Sequence, residues 1–202
     1  MLDRLKRLIG RTPLAVPDPT VTLGTFHADY WGCGGHEVQS RSASVSGGLF
    51  AVWHFPPVKG RGVGAYTTWG IGPSLGVEFL CLSGGVSTHP FDDPFARLLM
   101  EAGLFKSKER PVLATFDVIP LAEDTLPGSD FTHALYAPPG RFFNVEELEK
   151  QSGFKMVLVV PITREELHLI PTTSAEAFVD AMVADAIEPR ADRDRFVRSV
   201  VA

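Results

Sequence analysis

The chain has 202 residues, 45% hydrophobic and 21% charged, a globular balance that supports one domain with a real core. Its formal net charge of −5 argues against general nucleic-acid binding, which needs a basic field to displace counterions, and no apolar run is long enough to span a bilayer. Two cysteines, Cys33 and Cys81, make no disulfide framework, so a reducing, cytoplasmic setting is expected.

Residues 1–10, "MLDRLKRLIG", place Leu2, Leu5, Leu8 and Ile9 on one face of a short amphipathic helix that Gly10 stops. The stretch lacks the apolar core and cleavage site of a secretory signal. We expect it to dock on the protein's own core rather than on a membrane. Residues 1–18 thus read as a helix and linker, 19–188 as the domain, and 189–202 as a charged-then-apolar tail.

Within the domain, 19 glycines and 16 prolines are spread along the chain, a pattern of short strands and many turns. Strands are expected at Val21–Phe26, Leu49–Phe55, Ala65–Trp69, Gly76–Leu82, Val112–Ile119, Phe131–Tyr136 and Met156–Val160. The last, "MVLVV", is wholly apolar and should be buried on both faces. Helices carry clearer punctuation. Asp93 caps and Pro94 opens a helix whose buried stripe is Phe95, Leu98, Leu99 and Ala102, with Gly103 as its expected end. Asn144 and Glu147 frame another, with Phe143 and Leu148 as its staple and Gly153 as its close. In "ITREEL", Thr163 and Glu166 form a capping box, with Ile162 against Leu167. A last helix near Ser174–Ile187 puts Val179, Met182, Val183, Ala186 and Ile187 on one side, and Pro189 stops it. Strands and helices without strict alternation indicate an α+β fold, a single domain with a mixed or antiparallel sheet and helices packed on it.

Three constellations invite a chemical reading. "HADYWGCGGHE", residues 27–37, holds His27, Cys33 and His36, but a closed zinc site wants four ligands in two short-spaced pairs, and the second pair is missing. His54, His89, His133 and His168 lie on separate elements. A glycine-permitted turn explains the stretch with less. "GPSLG", residues 72–76, fits the G-x-S-x-G nucleophile pattern around Ser74. That pattern works where a strand turns sharply into a helix, whereas "VEFLCLS" reads as another strand, so a connecting loop is expected. "GRGVG", residues 60–64, has neither the setting nor the ending of a phosphate-binding loop. The acidic pairs Asp92-Asp93, Glu146-Glu147 and Glu165-Glu166 sit at helix starts, where the dipole favours them.

The order of segments says more than any one of them. "AYTTWGIG", then "LGVEFLCLS" with Glu78, then "FARLLMEAGLF", "SDFTHALYAPPG" with His133, "KMVLVVPITREELHLI" and "TTSAEAFVDAMVA" run collinearly from about Thr20 to Ala184. Together they resemble the suppressor of fused family. "TTSAE" stands where that family has a glycine, and "FLCLS" ends without its usual basic residue. The resemblance implies an α+β domain without established catalysis, acting by binding another protein. The short chain resembles the bacterial kind, and so implies an immunity protein that neutralises a toxin of a polymorphic toxin system. No cofactor is implied. An acidic surface would favour a basic partner such as a nuclease toxin, and strand edges offer unpaired backbone groups to a partner strand. Tyr30, Trp31 and Trp69 are the candidate partner-binding residues, since aromatic side chains are common interface anchors. The alternative is a small hydrolase using Ser74, or a metal-dependent enzyme using His27, Cys33 and His36.

Overall fold

A computed structural model of the chain describes residues 25, 27–28, 34–43, 48–56, 64–83, 93–109, 116–126, 129–139, 145–146, 149–150, 153–170 and 174–187. Seven strands lie in them: β1 (His36–Ala43), β2 (Gly48–Phe55), β3 (Gly64–Trp69), β4 (Val77–Ser83), β5 (Val118–Pro120), β6 (Phe131–Ala137) and β7 (Lys155–Thr163). They form one sheet in the order β1-β2-β3-β4-β7-β6-β5. Every neighbouring pair is antiparallel except β4 with β7. Helices α1 (Gly72–Leu75), α2 (Pro94–Glu109), α3 (Arg164–Leu169) and α4 (Ala175–Ile187) complete an α+β domain.

Side-chain alternation sorts each strand onto two faces. From β2, Phe50 and Val52 pack with Phe95, Leu98 and Leu99 of α2. Phe55 points the other way, with Met156, Leu158 and Val160 of β7 and Phe178 and Val179 of α4. Val157 and Val159 of β7 return to the α2 side, so "MVLVV" contributes to both cores, as its composition requires. Each fully buried Leu or Phe in these clusters is worth about 1.5–3 kcal/mol over leaving it in water.

Local signals place most of the helices. Asp93 Oδ1 accepts from the Phe95 and Ala96 amides at 2.9 and 3.1 Å, capping α2. The expected stripe of Phe95, Leu98, Leu99 and Ala102 is buried. Thr163 and Glu166 form the capping box of α3, with amide-to-side-chain distances of 2.9 and 3.2 Å. Ser174 caps α4 through the Ala177 amide. The amide of Gly153 closes the helical residues before it on the Glu149 carbonyl at 2.9 Å.

Four expectations are corrected. Gly103 does not end α2, which runs on to Glu109. A side chain there would stand 3.0 Å from the Ile71 methyl and 3.3 Å from the Phe50 ring, so this glycine serves helix–sheet approach. Residues 72–75 form a helical turn rather than a plain loop, closed by Gly76 at φ 71 with its amide on the Gly72 carbonyl. The polar run "HEVQSRSA" is a strand, held by pairing to β2 and bulged between Glu37 and Gln39. Thr25, at the end of the strand expected over Val21–Phe26, is helical, as are His27 and Ala28; the other residues of that strand lie outside the described ones. So do Val112–Thr115, Phe143, Asn144, Glu147, Leu148, residues 1–18 and 189–202. The last of the expected strands before β6 survives as the short β5, preceded by Phe116 at φ 70, a left-handed backbone that costs a bulky residue strain.

Candidate functional site

The connection from β3 to β4 is fastened from beneath by one carboxylate. Glu78, in β4, is fully buried. Its Oε1 accepts from the Gly70 amide at 3.0 Å and the Gly72 amide at 2.7 Å, the Ile71 amide adds a further bond, and its Oε2 accepts from the Thr68 hydroxyl. Thr68 Oγ1 in turn accepts from the Phe79 amide at 2.8 Å. Burial pushes the Glu78 carboxyl up to about 7, and the hydrogen bonds from Thr68 and the amides only partly oppose it. Gly72 is required for this closeness, because a Cβ there would lie 2.8 Å from the Phe154 ring and 3.1 Å from Cγ of Glu78.

Trp69, the residue just before this fastened segment, ends β3 opposite Ala51. It is half-buried, and its ring lies 5.0 Å from that of Trp53, tilted by 33°. Trp53 is also half-buried and packs at the margin of the core that contains Phe55. Two large aromatic side chains on adjacent strands thus meet at a margin and keep part of their surface outside it. Trp53 escaped the sequence reading because the register that brings it beside Trp69 is a tertiary fact. Of the other candidate contact residues, Tyr30 and Trp31 lie outside the described residues.

The chemical alternatives find less support in the geometry. His27 is buried and stacks on Phe55 at 5.3 Å, and burial lowers its imidazole to about 3. Gly35 passes so close that a Cβ would fall 2.6 Å from the same Phe55 ring. His36 opens β1 opposite His54, and Cys33 lies outside the described residues. Among the described residues, no three His, Cys, Asp or Glu side chains group as metal ligands. Ser74 sits inside the α1 turn, and the left-handed non-glycine residue among those described is Phe116, not Ser74.

A buried polar cluster lies on the α2 face. His54 stacks on Tyr66 at 4.4 Å, and the Tyr66 hydroxyl donates to Asp93 Oδ2 at 2.6 Å. His54, Tyr66 and Asp93 are all buried. Burial and the neighbouring Asp93 push the Tyr66 phenol up. With both Asp93 oxygens engaged, one on Tyr66 and one on the α2 amides, the cluster anchors a helix to a sheet. His133 is half-buried on β6, with Nδ1 2.9 Å from Oγ1 of Thr132.

No protein-family model matches the sequence, and no curated relative does. Solved structures do match. A suppressor of fused homologue from Neisseria gonorrhoeae superposes with a TM-score of 0.60 at 18% identity, over 87% of this chain and 94% of that one. Sufu in its complex with Fu gives 0.57 at 14% identity, over 83% of each chain. Drosophila Suppressor of Fused gives 0.56 at 12% identity, over 84% of this chain and 46% of that one. The chain therefore has a suppressor of fused-like fold, the class its segment order resembles. Among the described residues, no helix is long and apolar enough to cross a membrane.

Proposed function

We propose that this chain acts by binding another protein, without catalysis of its own, and that the Trp53–Trp69 pair lies in the contact surface. The observation that carries this reading is the likeness of its fold to Sufu, a protein seen in complex with Fu. Partly exposed tryptophans suit the role, because a large rigid ring gives up little conformational freedom on binding. The partner best suited to a chain of net charge −5 is basic, and by the resemblance of its segments we read that partner as a toxin that this chain neutralises in the cytoplasm. Neither a cofactor nor a metal enters this reading.

The test is co-expression with the products of adjacent genes, followed by affinity capture through this chain. A stoichiometric complex with one of them, and rescue of growth when that product is toxic, is the expected result. Trp69→Ala should weaken the complex about tenfold or more while circular dichroism stays native. Capture of no neighbouring product, or a complex indifferent to both Trp53→Ala and Trp69→Ala, defeats the reading.

A further inference from the structure

Glu37 stands where it does because β1 carries one residue too many. From Ala43 back to Gln39 the strand pairs with β2 step for step, and Gln39 faces Val52. Continued without a break, that register would set Val38 against Trp53 and Glu37 against His54, which is buried on the α2 side with Tyr66. The bulge between Glu37 and Gln39 changes the outcome. Glu37 pairs with Trp53 instead, while Val38 packs against the core under α2. A one-residue shift moves a side chain to the opposite face of a sheet, and bulges are a common means of re-aiming one. Glu37 and Trp53 thus share the face away from α2, at the spacing of directly opposed residues, about 4.5–5.5 Å between Cβ atoms. Thr67 faces Trp53 from the other side, and Trp69, two residues further along β3, lays its ring beside that of Trp53. Glu37 is exposed and both tryptophans are half-buried. Among the described residues, no cation pairs with the Glu37 carboxylate. β1 is an outer strand of the sheet, and a charge with a bulge guards such an edge. Guarding alone does not require that the charge stand beside two partly open indoles.

We propose that Glu37, Trp53 and Trp69 form a seat for one arginine side chain of a basic protein partner. A guanidinium is planar and weakly hydrated and stacks on aromatic faces, while its N–H donors suit a carboxylate alongside. The ammonium of lysine is compact and strongly hydrated, so it serves the carboxylate but stacks less well. The net charge of −5 draws a basic partner towards the seat. The seat deepens the protein-binding reading and rests on it.

The full chain is first titrated without a partner, using acetyl-Gly-Arg-Gly amide and the citrulline peptide, which keeps the shape and lacks the charge. The indole N–H signals, assigned through Trp53→Phe and Trp69→Phe, should both shift along a saturating curve with the arginine peptide and much less with the citrulline one. Glu37→Gln, at an exposed position, should weaken the arginine peptide about two- to fivefold with native circular dichroism. In the complex with a captured neighbouring gene product, Glu37→Arg should weaken binding about tenfold or more through like-charge repulsion. Equal responses to the two peptides, an arginine response unchanged in Glu37→Gln, or a complex indifferent to Glu37→Arg overturns the seat and leaves the protein-binding reading standing. An arginine-specific, Glu37-dependent response with no neighbouring product captured supports the seat and defeats the toxin as its source of arginine.

Discussion

Asp93 divides one carboxylate between two tasks. One oxygen caps α2, and the other receives the Tyr66 hydroxyl from the sheet. Asp93→Ala removes the cap, worth about 1 kcal/mol, and strands a buried phenol, worth about 1–3 kcal/mol more. We expect a total loss of about 2–4 kcal/mol in urea denaturation. Tyr66→Phe should cost about 1–2 kcal/mol. The double variant should cost clearly less than the two combined, because deleting both partners leaves no orphan. Strict additivity would show that the bond does not couple helix to sheet. The capping task was legible in "DDPF", since a cap acts on amides two and three residues away. Its Tyr66 partner, 27 residues off, was not. Glu78 shows the same limit: the resemblance singled out its position, but its grip on Gly70–Gly72 depends on how the connection folds back.

Elements with internal periodicity were read nearly to the residue. β2, β3, β4, β6 and β7 each begin and end within a few positions of the expected strands, because alternation and flanking glycines act locally. β1 was missed for a physical reason: "HEVQSRSA" carries one large aliphatic residue, Val38, and owes its extension to pairing with β2. Gly103 was misread because glycine marks two different needs, a helix end and a close approach, and sequence does not distinguish them. Gly72 belongs to the second kind. Gly72→Ala should destabilise the protein by about 1–3 kcal/mol, since the ring of Phe154 must move aside. A variant as stable as wild type would mean that Phe154 has room to yield. Thr163→Ala, which breaks a capping box, should cost about 1 kcal/mol by the same measurement.

Across the whole molecule, two buried groups pull the pH dependence of stability in opposite directions. His27 is lowered from 6.5 to about 3, so its contribution is present above 6.5 and is lost as pH falls towards 3. Glu78 is raised from 4.5 to about 7, so its contribution is present below 4.5 and is lost as pH rises towards 7. Between 4.5 and 6.5 the two oppose each other. Glu78→Gln should therefore gain on wild type steadily from pH 4.5 to 7, by at most about 3 kcal/mol, with a constant difference above. A difference that is flat across that range would place the Glu78 carboxyl near its ordinary acidity. Association with a basic partner should also slow as salt is added, while dissociation changes little; an on-rate indifferent to salt would remove charge from the account of partner choice.

The parallel seam between β4 and β7 joins strands separated by about 70 residues of chain. Strands β1 to β4 succeed one another as hairpins, whereas β4 must wait for β7 to be synthesised. At roughly 5–20 residues per second, the ribosome leaves the outer backbone of β4 unpaired for several seconds. A nascent chain halted before residue 155 should therefore recruit chaperones or aggregate, and one halted after residue 187 should not.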